Sequence, residues 1–498
     1  MGGPNGVGFA GNEPRFVNLS GTGNVGNVGN VQVDTSRTGG APQNIPQHID
    51  ISPKHQSIDF RTRLARLMLP IFFDIALVML VGAVDTVMLS HCGDEPVAAV
   101  GMVNQLVNLV FLVYQFLSIG AGILCAQYFG AGQRQRLVQT VAIALSLNLL
   151  VGLAASAMLH FNAEALLLAM GLRADTLPPG VTYLQIVGAL AMFPALSLTL
   201  SASMRSSGKV VEPMAINILA NVLNAVGNYI LIFGKFGFPA MGVAGAAWAT
   251  AFARTVQFLL LAAVHTVRHI PSYPLSFFKP FPWRELKNLL TVGAPAVAEE
   301  LSYCLSQVAV IYFINKISTE ALATKTYCSN LIMFVFLFCI AATQGGDILV
   351  GHLIGQKRYR VAYLLGSFFL RRSMLITLVC SAALAIAGPF ILPLLTSNPT
   401  IIRTGVLILA IDVILEIGRV KNIFACGTLR AAGDVVYPVV VGVTIQWSVG
   451  VGVACLLGLP LKLGLIGVWI GFLLDENIRG VILTRRWHSL KWFGKSFT

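Results

Sequence analysis

The nine residues RSSGKVVEP at 205–213 return as RAAGDVVYP at 430–438, a shift of 225 positions (430 − 205 = 225). Arg, Gly, two Val and Pro keep their places. The same shift sets Pro295 on Pro70, Glu320 on Glu95 and Gly355 on Gly130, where QYFGAGQRQR (127–136) faces GHLIGQKRYR (351–360). Five successive segments hold this register without a gap. Chance likeness between apolar stretches would not preserve Pro, Gly and Arg together, so the chain is an internal duplication.

What is duplicated is a set of apolar runs. They lie at about 66–90, 97–128, 138–160, 181–203, 213–234 and 242–267, then at 290–314, 320–351, 366–392, 403–427, 437–459 and 464–484. Each is close to the ~20 residues that a spanning helix needs. Over 498 residues, 56% are hydrophobic and only 11% charged, with mean hydropathy +0.76. A soluble chain carries about 25% charged residues, which excludes an ordinary cytosolic enzyme. The reading is an all-α polytopic membrane protein: twelve transmembrane helices in two parallel-repeat six-helix lobes with a central cleft. Six helices per lobe insert both halves the same way up, and transporters of that kind hold substrate between lobes that rock.

The expected organisation is a disordered tail at 1–57, an N-lobe at 58–268, a Pro-rich linker at 269–289, a C-lobe at 290–486 and a basic tail at 487–498. The tail holds the near-repeat GNVGNVGNV and no run that could bury a core. Arg134, Arg136, Arg205, Lys209, Lys357, Arg358 and Arg430 gather on one side of the expected membrane, the other having isolated Arg173, Lys235, Lys316, Arg403 and Lys462. That asymmetry makes both termini cytoplasmic and puts Cys92 in an external connection. The net charge of +13 is orientation, not a nucleic-acid surface. Seven of the eight cysteines lie in apolar runs and read as small hydrophobes. No GxxxxGK[ST] is present, so any uphill transport would draw on an ion gradient.

With AVDTVMLSHCGDEPVAAVGMVNQ, CAQYFGAGQ, MRSSGKVVEP, NVLNAVGNYILIFGKFG, GVAGAAWAT and GTLRAAGD in this order, the chain resembles the multidrug and toxic compound extrusion (MATE) antiporters over about 60–490. The resemblance implies export of organic, amphipathic and cationic compounds in exchange for Na⁺ or H⁺. It further implies a bacterial inner membrane, a lipid bilayer and small-molecule substrates as partners, a monomer, no enzyme activity and no organic cofactor.

Ionisable residues within spans cost about 2.5–3.5 kcal/mol on insertion scales and are functional candidates by default. Asp74 and Asp85 stand eleven residues apart in the first helix, nearly on one face. Asp85 matches the family's cation-coupling position; a cap near the outer helix end is the alternative. Asn217, Asn221, Asn224 and Asn228 form one stripe in the fifth helix, and the resemblance puts cation-site residues at Asn224 and Asn228, with Thr250 a third ligand for Na⁺. In the second lobe Glu299 is favoured over its neighbour Glu300, because the family often has an acid in the GAPAVAEE context. Relatives that use an acid further along this helix find apolar or hydroxyl residues here. Asp412, Glu416 and Arg419 share the tenth helix; Glu416 with Arg419 reads equally as a neutralised pair, and Asp475 with Arg479, four apart on the twelfth, mostly as a structural one. Tyr114, Gln115 and Phe116 could line the cleft or pack in the core. Two rivals stay open: a lipid-linked-precursor flippase using Arg254, Arg371, Arg372, Arg419 and Lys421, and an exporter of an anionic metabolite such as a flavin nucleotide.

Overall fold

The computed structural model describes residues 53–91, 93–172, 176–270, 273 and 275–498. The expected tail up to residue 52, Cys92, Arg173, Pro271 and Pro274 lie outside them. Twelve rods follow one another: α1 (Pro53–Ser90), α2 (Asp94–Gly130), α3 (Arg134–Phe161), α4 in two pieces (Leu177–Ala189 and Met192–Ser206), α5 (Val211–Phe233) and α6 (Gly242–His269). After the connection come α7 (Trp283–Ile317), α8 (Thr319–Gly355), α9 (Tyr359–Leu395), α10 (Pro399–Ala431), α11 (Val436–Gly458) and α12 (Gly464–His488). Among the described residues nine are long and apolar enough to cross a membrane, and the α4 pieces, bent by 48°, bring this to ten if counted as one span. The remaining two, α10 and α12, carry Asp412, Glu416, Arg419, Asp475, Glu476 and Arg479 and pack along each other.

Sequence boundaries move where charge and helix part company. The first helix starts at Pro53, so 53–57 of the expected tail are helical, and α7 starts at Trp283, inside the expected linker. Apolarity marks the hydrocarbon-bound part of a rod, whereas hydrogen bonding carries the rod into the interface. Caps set other ends. Ser318 Oγ accepts from the Ala321 amide at 3.1 Å, and Asn398 Oδ1 accepts from Thr400 N at 3.0 Å with Pro399 at the first helical position.

The duplication is visible in three dimensions. Gly132 and Lys357, 225 apart, both take a left-handed turn (φ 69° and 59°), as do Gly208 and Gly433 (φ 80° and 94°). Lobes meet through α2 on α7, α1 on α8, and α2 on α8. The first two pairs exchange under the repeat. At the ends of α2 and α8 a Cβ on Gly130 would overlap the His352 carbonyl, and one on Gly355 would overlap the Gln127 carbonyl. Gln127 and His352 are themselves repeat partners: Gln127 Nε2 donates to Ala431 O at 2.7 Å and His352 Nε2 to Ser206 O at 2.6 Å. Only glycine permits that approach. Phe116 packs on Gly293 in this seam, so of the three aromatic-region residues it serves lobe contact. Tyr114 is buried with an unpartnered hydroxyl.

The basic tail is docked. Trp492 stacks on Trp487 (centroids 4.6 Å apart, 11°), Lys495 and Arg486 pair with Asp434 at 2.7 and 2.9 Å, and the Phe497 amide donates to Gln127 Oε1 at 2.9 Å. This segment thus ties the second lobe to α2 of the first.

Candidate functional site

Helices α1 and α5 lie side by side and keep register for three turns. Asn217 Nδ2 donates to Asp74 Oδ1, and eleven residues further Asn228 Nδ2 donates to Asp85 Oδ1 at 2.8 Å. Against α5 lies the small-residue start of α6, GVAGAAWAT. A Cβ on Gly245 would strike the Leu231 carbonyl, and Gly227 faces Ala249. The backbones approach because these side chains are missing, and that approach delivers Thr250 to Asn224.

Asp85, Asn224, Asn228 and Thr250 therefore form one cluster. The Asn224 amide nitrogen donates to both Asp85 oxygens at 3.0 and 3.2 Å and its oxygen accepts from Thr250 Oγ1 at 3.1 Å, the orientation in which each group meets its complement. Asn228 Oδ1 is buried without a partner, an oxygen turned from water. One carboxylate, two amide oxygens and a hydroxyl are a hard-oxygen set suited to a monovalent cation. Among the described residues no group of three His, Cys, Asp or Glu could hold a metal ion.

The sequence reading expected the Asn224 and Asn228 amides and the Thr250 hydroxyl near Asp85. The structure adds Arg254, close enough to act on it electrostatically, and the buried Tyr183 beside Thr250. From Arg254 a hydrogen-bonded chain descends: Nη1 to Gln257 Oε1 at 3.0 Å, Gln257 Nε2 to Asn217 Oδ1 at 2.9 Å, Asn217 to Asp74, and Asp74 Oδ2 to Arg205 Nη1 at 3.5 Å. Arg254 stands one turn after Thr250, and that spacing was the signal for it. Tyr183 gave none.

In the second lobe Glu299 Oε2 pairs with Arg430 Nη2. This is the repeat of Asp74 with Arg205, which makes both acids members of an ion pair joining the first rod of each lobe to the last turn of the fourth. Glu300 has no such partner. Glu416 pairs with Arg419; Arg419 Nε reaches Glu476 Oε1 at 3.8 Å; Arg479 holds Asp475 at 2.5 Å and Glu476 at 3.3 Å. Asp412 accepts from Trp469 Nε1 at 3.4 Å. The alternative readings of Glu416 with Arg419 and Asp475 with Arg479 as pairs are what the geometry displays. Asp347, unmarked by the sequence reading, has a buried oxygen without a partner beside Gly427.

Removing one partner of a buried pair strands the other, at a cost of about 3 kcal/mol. Glu299→Gln is accordingly expected to lower the unfolding temperature of the detergent-purified protein, and Arg430→Gln added to it to restore part of the loss. Glu300→Gln should leave unfolding near wild type. Equal destabilisation by both single changes would contradict the pairing.

The MatE family profile matches the chain twice, at residues 70–230 and 295–456. The two matches start 225 residues apart (295 − 70 = 225), the shift read from the sequence. The Bacillus subtilis (strain 168) transporter YisQ is 38% identical over 434 residues, covering 87% of this chain and 95% of that protein. A probable multidrug resistance protein NorM of Thermotoga maritima is 27% identical over 445 residues, covering 88% and 95%. A solved structure described as the outward-facing conformation of a multidrug resistance MATE family transporter of the MOP superfamily superposes with a TM-score of 0.77 at 20% identity, covering 87% of this chain and 97% of that one. With its sequence matched in both lobes and its fold shared, the chain belongs to the MatE family of multi-pass membrane transporters.

Proposed function

We propose that the protein is a secondary antiporter that exports amphipathic organic compounds from the bacterial cytoplasm across the inner membrane, driven by Na⁺ or H⁺ entering at Asp85. The observation that carries this is the Asp85 cluster, a carboxylate in a span that gathers the Asn224 and Asn228 amides, with Thr250 behind Asn224. A cation or proton arriving there removes the charge that holds the Asn224 nitrogen and shifts the pull on Arg254. The chain Arg254–Gln257–Asn217–Asp74–Arg205 leads from that point to the turn beside the lobe seam. Ion binding can thereby favour one lobe arrangement over another, and a ligand shifts a conformational equilibrium only through such differential contacts. The lobes here touch at the basic ends, the cytoplasmic side by the Lys/Arg distribution. This is the arrangement of a carrier open to the outside, ready to take the driving ion and release cargo.

The flippase reading needs basic groups available to a diphosphate. Arg419 is held by Glu416 and Arg254 donates to Gln257, which disfavours it.

Purified protein in liposomes should extrude ethidium when a Na⁺ or pH gradient is imposed, and not without one. Asn228→Ala should raise the ion concentration for half-maximal transport severalfold and change the maximal rate by less than about twofold, because it removes an oxygen and leaves the carboxylate. If neither gradient moves the dye, the antiporter reading falls.

A further inference from the structure

The two lobes share their frame but not their interiors. Where α1 has Asp85, α7 has Val310, buried in an apolar cluster (85 + 225 = 310). The second lobe has instead a cavity of about 490 Å³ between α7, α8, α10, α11 and α12, within the range of small-molecule sites. Tyr303, Phe336, Trp469 and Phe472 give it aromatic walls. Its basic residues Arg419 and Arg479 are spent on Glu416, Asp475 and Glu476. Two lining charges are not. Among the described residues Glu300 and Lys325 make no hydrogen bond or ion pair, and Lys325 stands in the span α8 where the first lobe has Val100 (325 − 225 = 100).

A charge of either sign left unpaired in a span is costly, and two of opposite sign that do not meet are a dipole waiting for its complement. Glu300 stands 17 residues before the end of α7 at Ile317, and Lys325 six after the start of α8 at Thr319. The difference of 11 residues places their backbones about 16 Å apart along the rods at ~1.5 Å per residue. Snorkelling of Lys325 to the interface is the ordinary fate of a lysine near a helix end; here the residue lines the cavity.

We propose that this cavity is a substrate subsite for dipolar amphipathic molecules, an aromatic body bearing a carboxylate that Lys325 receives and a protonated nitrogen that Glu300 receives. The proposal rests on the exporter reading and narrows its substrate class. A plain cation entering gains Glu300 but meets Lys325; a plain anion does the reverse. Only a molecule with both charges, separated, satisfies both ends, and low dielectric enlarges each contribution.

Rhodamine 110, which carries a free carboxylate, and its methyl ester rhodamine 123, a plain cation, isolate the difference of one charge. Binding to detergent-purified protein, read by fluorescence polarisation, should favour rhodamine 110 at least fivefold. Lys325→Met keeps the length of the side chain and removes its charge. It should weaken rhodamine 110 about tenfold, the size of one charge-assisted hydrogen bond, and tighten rhodamine 123, reversing the preference. Glu300→Gln should weaken both dyes. Unfolding temperatures near wild type for both variants keep the comparison fair. Equal affinity of the two dyes, no binding of rhodamine 110, or an unchanged preference in Lys325→Met would each overturn the subsite. Because binding needs no gradient, a preserved preference with no gradient-driven efflux would sink the antiporter reading alone, and efflux without preference would sink the subsite alone.

Discussion

Asp85→Asn, reconstituted into liposomes, is expected to abolish uphill dye accumulation, a loss of at least tenfold, while dye binding in detergent stays within about twofold of wild type. The substitution keeps the shape of the side chain and an oxygen for the Asn228 amide at 2.8 Å. What it removes is the charge. The Asn224 amide then has no anion to donate to, and neither a proton nor Na⁺ has a carboxylate to neutralise. Binding energy that no longer differs between ion-loaded and ion-free states cannot shift the lobes. Facilitated, downhill leak of the dye should survive. Gradient-driven accumulation at the wild-type rate in Asp85→Asn would mean that coupling resides elsewhere.

Comparable losses are expected from the seam. Gly355→Val must push its side chain into the Gln127 carbonyl and the Ala131 amide, and Gly130→Val into the His352 backbone. Backbone atoms cannot rotate away as a flexible side chain can, so the basic ends of α2 and α8 have to part. The state with the lobes closed at this end should be depopulated, and turnover should fall at least tenfold. A cysteine at Gln133 should become more reactive toward a thiol reagent applied from the basic side. Gly122→Ala, whose added methyl would meet only Ala202 Cβ at 3.8 Å, is the control and should transport normally. Wild-type turnover in Gly355→Val would show that the closed seam is no part of the cycle.

Much of this was legible because duplication is a strong signal. RSSGKVVEP and RAAGDVVYP fix two turns, two left-handed glycines and two arginines, and the structure uses all of them. The cluster around Asp85 was legible for a related reason: a carboxylate, an amide stripe at helical spacing and a hydroxyl in a small-residue helix start have few other uses in a span. Which charge meets which was not legible. Glu299 and Glu300 differ by one position, and only the packing of the last turn of α10 delivers Arg430 to the first and leaves the second alone. Lys325 escaped notice because a lone lysine near a helix end reads as a snorkelling residue until a cavity is seen beside it. Register fails in the last helix: Gly245 packs on Leu231 and Gly467 on Leu457, so α6 and α12 correspond with a shift of 222 (467 − 245 = 222), not 225.

The twin ion pairs, Asp74 with Arg205 and Glu299 with Arg430, also bear on ancestry. Two halves that repeat both a salt bridge and the exchanged packing of their first two rods are what the fusion of two copies of one six-helix polypeptide, packed as a symmetric pair, would leave. In such a homodimer every site occurs twice, and any substitution acts in both subunits at once. Fusion of the genes ended that constraint. One copy could keep Asp85 while the other drifted to Val310, and Val100 could remain apolar while its twin position acquired Lys325. The proposed division of labour, with ion binding in one half and cargo in the other, would become available only once the two stopped being the same molecule.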